Sequence, residues 1–87
     1  MEDFNLSLGQ LIAEWRRQKG MSQVALAEAL GSQQASVSKL ENGSKRITVA
    51  ELSHVLSACG LTFGAVSDDL DGLLVHELQP LWERVDE

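Results

Sequence analysis

Apolar residues recur along the first sixty positions at the spacing of short amphipathic helices. In the first segment they follow the i, i+3, i+4, i+7 pattern that places side chains on one face of a helix. Ser7 and Gln10 have the spacing of a capping box, so we expect a helix to begin there and to end near Gly20. The stripe consists of Leu8, Leu11, Ile12 and Trp15.

Two more short helices are predicted in close succession. Ser22 is a suitable amino-terminal cap for a helix over residues 23–30, and Gly31 can end that helix in the left-handed conformation. Only Ser32 and Gln33 separate it from a third helix over residues 34–41. The third helix should turn Val37 and Leu40 inward and end at Asn42-Gly43.

A fourth helix is the strongest local prediction. Thr48 and Glu51 have the spacing of a capping box, and an apolar stripe follows until Gly60. Such a succession of helices predicts an all-α domain of four to five helices. The stripe consists of Leu52, Val55, Leu56 and Cys59.

The pattern changes after Gly60. Leu61, Phe63 and Ala65 alternate with other residues, which favours a short strand over residues 61–67, although Gly64 and the brevity of the segment leave a turn of helix open. A polar break should follow, and a short helix from Leu73 could run until Pro80. The break consists of Asp68, Asp69, Asp71 and Gly72.

Composition limits the chain to one small core. Eighty-seven residues with 44% apolar and 23% charged residues are typical of a single globular binding module rather than a disordered tail. The single cysteine, Cys59, cannot form an intramolecular disulfide, and no apolar run is long enough to cross a bilayer. We expect a cytoplasmic protein with a main domain at 6–60 and an extension at 61–87 for dimerisation or partner binding.

The charge is unevenly distributed. The formal net charge is −6, which argues against binding to nucleic acid. However, residues 1–47 carry six Lys or Arg and five acidic residues, whereas residues 48–87 carry one Arg and eight acidic residues. Basic residues could therefore cluster in the first half. The acidic end is a solvated face, a surface for a basic partner, or a segment that repels DNA.

Residues for catalysis or metal binding are sparse. His54 and Cys59 are five positions apart on one helix and do not face one site, and no second cysteine supplies zinc-ligand spacing. We therefore expect no enzyme activity, cofactor or metal. Cys59 and Trp15 are assigned to the core, and His54 and His76 to the solvent. Trp82 packs on its own domain, across a dimer or against another protein.

The second and third predicted helices have the arrangement of a helix-turn-helix, whose second helix enters the major groove of DNA. Residues 22–52 resemble the Cro/CI-type (XRE) repressor family, which has the lambda repressor-like fold and binds DNA. Gln33 departs from the family's Ser or Thr cap, so the third helix starts less firmly or is capped by Ser32, and Ile47 replaces a common proline. The matching residues are Ser22, Gln23, Leu26, Ala27, Leu30, Gly31, Val37, Ser38, Leu40, Glu41, Asn42, Gly43 and Leu52.

Specific roles follow if the third helix enters the groove by its amino end. Gln34 can pair with adenine, Ala35 can touch a thymine methyl group, and Lys39 can reach guanine or a phosphate. The alternative for these residues is an ordinary solvated helix face. The expected contacts to the DNA backbone are Gln23, Ser36, Asn42, Lys45 and Arg46.

Arg16 and Glu41 match two family positions that link the first helix to the end of the third. The pair would hold the third helix at its angle, or it is a loose ion pair on the surface that contributes about 0–1 kcal/mol.

The family resemblance also implies a homodimer on a palindromic operator, and apolar residues that the helix-turn-helix does not need could form its interface. Residues 60–66 resemble those of the HipB-type antitoxins, in which the corresponding strand pairs across the dimer and the C-terminal segment contacts a kinase toxin. The protein is thus either a repressor that binds double-stranded DNA or an antitoxin whose partner is a toxin. The expected interface residues are Leu61, Phe63, Val66, Leu73 and Leu74.

Overall fold

The computed structural model describes the backbone of residues 2–73 and the side chains of residues 4–73. Over these residues the chain is all-α, which confirms the predicted fold class. A fifth helix, α5, is described over residues 67–73. The first four helices are α1 (Glu2–Gln18), α2 (Gln23–Leu30), α3 (Gln34–Glu41) and α4 (Val49–Ala58).

The boundaries of α2 and α4 follow the predicted caps. The Ser22 hydroxyl accepts a hydrogen bond from the backbone N–H of Ala25, and Gly31 ends α2 at φ +68°. At the start of α4, Thr48 and Glu51 form a complete capping box. At these helix ends, residues close in sequence supply the hydrogen bonds that the free backbone groups need, so the local sequence was enough to predict them.

One core holds the helices together. α2 and α3 pack against each other, α1 lies against α3, and α4 lies against α2. The predicted apolar stripes supply the buried side chains, with Trp15 and Cys59 among them as expected. The core centre consists of Ile12, Leu26, Val37, Val55 and Leu56.

The predicted start of α1 is wrong. The helix begins at Glu2, so Ser7 lies half-buried inside it and does not cap it. Phe4 lies four residues before Leu8 and packs against the core, so the apolar stripe extends one turn further toward the amino terminus. Tertiary burial therefore outweighs the local capping signal.

The predicted strand over residues 61–67 is also wrong. Residues 63–66 form a turn, in which the Thr62 hydroxyl accepts a hydrogen bond from the N–H of Ala65 at 3.1 Å, and α5 begins at residue 67. Val66 closes this turn and is only 3% exposed, because it packs into the core. The strand that supported the antitoxin resemblance is therefore absent from the described residues.

The predicted polar break belongs to α5. Asp68, Asp69 and Asp71 are helical, and the Asp69 carboxylate accepts a hydrogen bond from the indole Nε1 of Trp15 at 3.0 Å. With Val66 in the core, the core also continues past the predicted domain boundary at residue 60. Leu74, Leu78, His76 and Trp82 lie outside the described residues.

None of the described helices combines the length and the apolar character needed to cross a membrane.

Candidate nucleic-acid interface

The amino-terminal half of α3 faces solvent. Gln34, Ala35 and Ser36 are exposed, as is Lys39 one turn further along, while the opposite face of the helix is buried. Gln33 occupies the cap position in extended conformation, but its side chain makes no capping hydrogen bond. The Ser32 hydroxyl donates to the carbonyl of Gln33 instead, so of the two alternatives the one in which Ser32 caps this helix is wrong. The first turn of α3 therefore exposes two polar side chains and one methyl group at a positive helix end that no side chain caps.

A buried ion pair anchors the other end of α3. The Arg16 guanidinium donates from Nε to Glu41 Oε2 at 2.7 Å and from Nη2 to Glu41 Oε1 at 3.0 Å. The two residues are 8% and 9% exposed, so the alternative of a loose surface pair is wrong. The hydrogen bond to Glu41 raises the pKa of Arg16 above its usual value, against the opposing effect of burial. Arg16 also donates to the carbonyl of Met21, which joins α1 to the turn before α2.

Two glutamines connect this ion pair to the exposed end of α3. Gln23, the first residue of α2, donates from Nε2 to Glu41 Oε1 at 2.9 Å. Gln34, the first residue of α3, donates from Nε2 to Gln23 Oε1 at 2.6 Å. The structure thus brings together a predicted base contact, a predicted backbone contact and the predicted structural pair.

The loop after α3 carries the basic residues expected at the DNA backbone. The Asn42 side chain accepts a hydrogen bond from the N–H of Ser44 at 2.9 Å, which shapes the loop. Arg46 is exposed, but the ammonium group of Lys45 pairs with the Glu51 carboxylate. The hydrogen bond from Lys45, followed by that from the Thr48 backbone, holds the pKa of Glu51 below its usual value of 4.5. A phosphate would compete with Glu51 for Lys45.

Sequence patterns did not identify the role of Gly9. A Cβ atom at this position would lie 2.7 Å from the carbonyl oxygen of Glu41 and closer still to that of Leu40. Only a residue without a side chain lets α1 approach the carboxyl end of α3 this closely. The position of Gly9 beside the apolar stripe of a helix could have indicated this close approach, since a glycine within a helix often marks close packing.

Two other candidates lie away from this surface. Cys59 is buried, and burial raises the pKa of its thiol, consistent with the predicted core role. His54 is exposed on α4, as expected.

Known proteins resemble this domain in sequence and in fold. Residues 12–66 match the HTH_3 family, described as helix-turn-helix. The HTH-type transcriptional regulator PrpR of Mycobacterium tuberculosis (strain ATCC 25618 / H37Rv) is 34% identical over 77 residues, which are 88% of this chain and 16% of that protein. The chain therefore spans about a sixth of the length of this relative.

Solved structures of the clp gene regulator ClgR from Corynebacterium glutamicum are also similar. One superposes with a TM-score of 0.72 at 29% identity, covering 79% of this chain and 90% of that chain. A second gives a TM-score of 0.70 at 25% identity and covers 94% of this chain and 88% of that chain. The similarity extends over most of both proteins.

Proposed function

The chain belongs to the helix-turn-helix family HTH_3, and we propose that it is a non-enzymatic, sequence-specific DNA-binding transcriptional regulator of the cytoplasm. The observation that carries this proposal is the exposed amino end of α3. There the side chain of Gln34 is hydrogen-bonded to that of Gln23, and no side chain caps the helix. An α-helix presented in this way fits the major groove of B-DNA. The names of PrpR and ClgR, both regulators, support the same function.

α3 is the proposed recognition helix. Gln34 pairs with adenine through its amide, Ala35 contacts a thymine methyl group, and Lys39, one turn further along, contacts guanine or a phosphate. All three side chains are exposed, whereas Val37 and Leu40 on the opposite face fix the helix to the core. The base-contacting and core-packing residues are thus separated on one short helix.

Backbone contacts surround the recognition helix. Gln23 and Ser36 lie beside the amino end of α3, and Asn42, Lys45 and Arg46 lie beyond its carboxyl end, so both sides can meet a phosphate strand. Lys45 must exchange the Glu51 carboxylate for a phosphate to bind DNA. Arg46, which is exposed, contributes its charge to the DNA surface without that exchange.

We further propose that the protein is a homodimer that represses transcription by occupying a palindromic operator. An apolar groove of about 330 Å³ lies between α1, the start of α4, the 63–66 turn and α5. Its rim includes Val49 and Phe63, which are 76% and 43% exposed. Leu61 and Leu73 are partly buried beside the core, and Leu73 also lines the groove. Val66 lies in the core and offers no surface to a second copy.

Selection of bound sites from random DNA tests the base contacts. The wild-type chain should select a palindromic site, and Gln34→Ala should lose its preference at one position of each half-site, a loss of about 1–3 kcal/mol. Gln18→Ala, a change at an exposed glutamine in α1, is the matched control and should select the wild-type site. An unchanged site for Gln34→Ala would remove Gln34 from base recognition.

Sedimentation equilibrium tests the dimer. The double variant Val49→Lys/Phe63→Lys places two charges on the groove rim and should dissociate the dimer, because buried unpaired charges oppose association. Val24→Lys, at an apolar residue of α2 that is also exposed, should leave the dimer intact. A wild-type chain that sediments as a monomer at the concentrations used for DNA binding would contradict the proposal.

A further inference from the structure

The two oxygens of the Glu51 carboxylate have different partners. Oε1 accepts hydrogen bonds from the N–H and from the hydroxyl of Thr48, at 3.0 Å and 3.3 Å, and so completes the cap of α4. Oε2 accepts a hydrogen bond from the ammonium group of Lys45. One oxygen therefore holds the start of a helix, while the other binds a cation that the proposed function assigns to DNA.

The Lys45–Glu51 pair lies beside the recognition helix. A cleft of about 280 Å³ lies between α3 and α4, and its lining includes Ser36, Lys45 and Glu51. Ser36 and Lys45 are both proposed backbone contacts, so a phosphate strand that meets them passes this cleft. The side chains of Lys45 and Glu51 are 42% and 36% exposed, which leaves the ammonium group accessible to a phosphate. Glu51 is thus next to any phosphate that Lys45 binds.

The carboxylate and a phosphate require the same partners. Both are anions that accept hydrogen bonds from ammonium groups. The hydrogen bond from Lys45, followed by that from the Thr48 backbone, holds the pKa of Glu51 below its usual value, so the carboxylate is ionised at neutral pH. Its contacts with Thr48 use the other oxygen and do not depend on Lys45. A phosphate that takes Lys45 therefore leaves the negative charge of Glu51 in place beside it, and the two anions repel each other.

We propose that Glu51 is an internal competitor of the DNA backbone, which limits the affinity of the domain for DNA by neutralising Lys45. The inference rests on the proposed function, because it requires Lys45 to meet a DNA phosphate. The effect does not depend on the base sequence, since every site presents the same phosphates.

The salt dependence of binding distinguishes a neutralised cation from a free one. A basic side chain that binds a phosphate releases about 0.9 of a condensed cation, so the affinity falls more steeply with salt on a log–log scale. For Lys45 this release is offset, because the abandoned Glu51 carboxylate then attracts a cation. No carboxylate among the described residues pairs with Arg46, so Arg46 should contribute the full amount. Two adjacent basic residues should therefore contribute differently.

The variant Glu51→Gln tests the competitor in the full chain. Glutamine keeps an oxygen for Thr48 but cannot neutralise Lys45. The measurement is the affinity for the selected operator and for a duplex of random sequence, at a series of salt concentrations. We expect the affinity at low salt to rise by about twofold to fivefold per subunit for both duplexes, and the log–log slope to steepen by about 0.9 per subunit. A folded variant with the affinity and the slope of the wild type would overturn the proposal.

Removing the basic residues assigns the effect to the pair. Lys45→Met should leave the slope of the wild type nearly unchanged, but in the Glu51→Gln background it should abolish the gain in affinity and in slope. Arg46→Met should make the slope of the wild type shallower by about 0.9 per subunit. If Lys45→Met lowers the slope of the wild type as much as Arg46→Met does, Lys45 is not neutralised and the proposal is wrong.

Two control variants exclude other causes. Glu28→Gln makes the same chemical change at an exposed residue of α2 and should keep the affinity and the slope of the wild type. A steeper slope in Glu28→Gln as well would assign the effect to net charge and contradict the proposal. Thr48→Ala weakens the cap of α4 but keeps both charges, so its slope should also be that of the wild type. A slope as steep as that of Glu51→Gln would assign the effect to the helix end.

The same measurements separate the inference from the proposed function. If the wild type binds its selected operator while Glu51→Gln changes neither the affinity nor the slope, only the competition is wrong. If the wild type binds neither duplex at low salt, the proposed function and the inference both fail.

Discussion

The amino ends of α3 and α4 are built in opposite ways. At α4 the Thr48 hydroxyl accepts from the N–H of Glu51 at 3.1 Å, and the Glu51 carboxylate accepts from the N–H of Thr48 at 3.0 Å. At α3 the cap residue Gln33 is extended, with φ −107° and ψ 154°, and its side chain caps nothing. At α4, side chains of the first turn thus satisfy backbone donors, whereas the cap position of α3 supplies no such side chain.

The carboxyl end of α3 compensates for its open amino end. Glu41 is held there by Arg16, and Gly9 lets the backbone of α1 approach its last carbonyl groups. α3 is therefore held at the end away from the proposed bases, and α4 is held by its cap and its buried face. A short helix can therefore lack a cap at one end when contacts with the rest of the fold hold its other end.

Removing the anchor should have the largest effect. Glu41→Ala leaves Arg16 buried without its partner, so the free energy of unfolding in urea should fall by about 3–5 kcal/mol. Arg16→Met/Glu41→Leu, which removes both charges, should recover most of that loss. A loss below about 1 kcal/mol for Glu41→Ala would mean that α3 does not depend on this end.

Removing the cap of α4 should have a moderate effect. Thr48→Ala deletes the hydroxyl that accepts from the N–H of Glu51. The free energy of unfolding, measured by thermal denaturation, should therefore fall by about 1 kcal/mol. Ser32→Ala is the control, since its hydroxyl is exposed and donates only to the carbonyl of Gln33. Equal losses for the two variants would show that the cap contributes nothing specific to α4.

Adding a cap to α3 should make the two helices alike. Gln33→Ser supplies a hydroxyl at an extended cap position, so we expect a gain of about 0.5–1 kcal/mol in the free energy of unfolding. Gln33→Ala, which supplies no acceptor, should not produce this gain. If serine and alanine give the same stability, the end of α3 is already satisfied in another way.

The charge within the α4 cap should have the smallest effect. The pKa of Glu51 is lowered in the folded protein, so its stabilising contribution is present above about pH 4.5 and is lost as the pH falls through the lower, folded-state pKa. Glu51→Gln keeps a capping side chain but removes the charge. Its free energy of unfolding should be lower than that of the wild type by about 0.3 kcal/mol at pH 7, a small loss because the Lys45–Glu51 pair is largely exposed. At pH 2, where Glu51 of the wild type is also uncharged, we expect no loss. Urea unfolding at both pH values measures the difference, and an equal loss at both would assign it to packing.

Local chemistry made the ends of α2 and the start of α4 predictable. Ser22, Gly31 and Thr48 mark helix ends by hydrogen bonds or backbone conformations that involve only near neighbours in sequence. The start of α1 and the turn at residues 63–66 were mispredicted because burial of Phe4 and Val66 decides them. Apolar alternation could not distinguish a strand from a turn that inserts one residue into a core.

The candidate site was predictable in its residues but not in its connections. The Arg16–Glu41 pair was predicted from its match to two family positions. Gln34 was predicted from its place at the start of the helix that follows a glycine turn. The hydrogen bonds of Gln23 to Gln34 and to Glu41 depend on the angle between α2 and α3, which no local pattern specifies. The roles assigned at the DNA remain predictions.

The hydrogen bond from Trp15 to Asp69 couples the two ends of the described chain. It joins α1 to α5 across most of the sequence, and Val66 inserts into the core between them. Regions joined in this way open as one cooperative unit, so amide hydrogen exchange in α1 should slow and quicken together with exchange in α5. We therefore expect the amides of α1 to exchange faster in a chain cut after Gly60, which lacks Asp69 and Val66, than in the full chain.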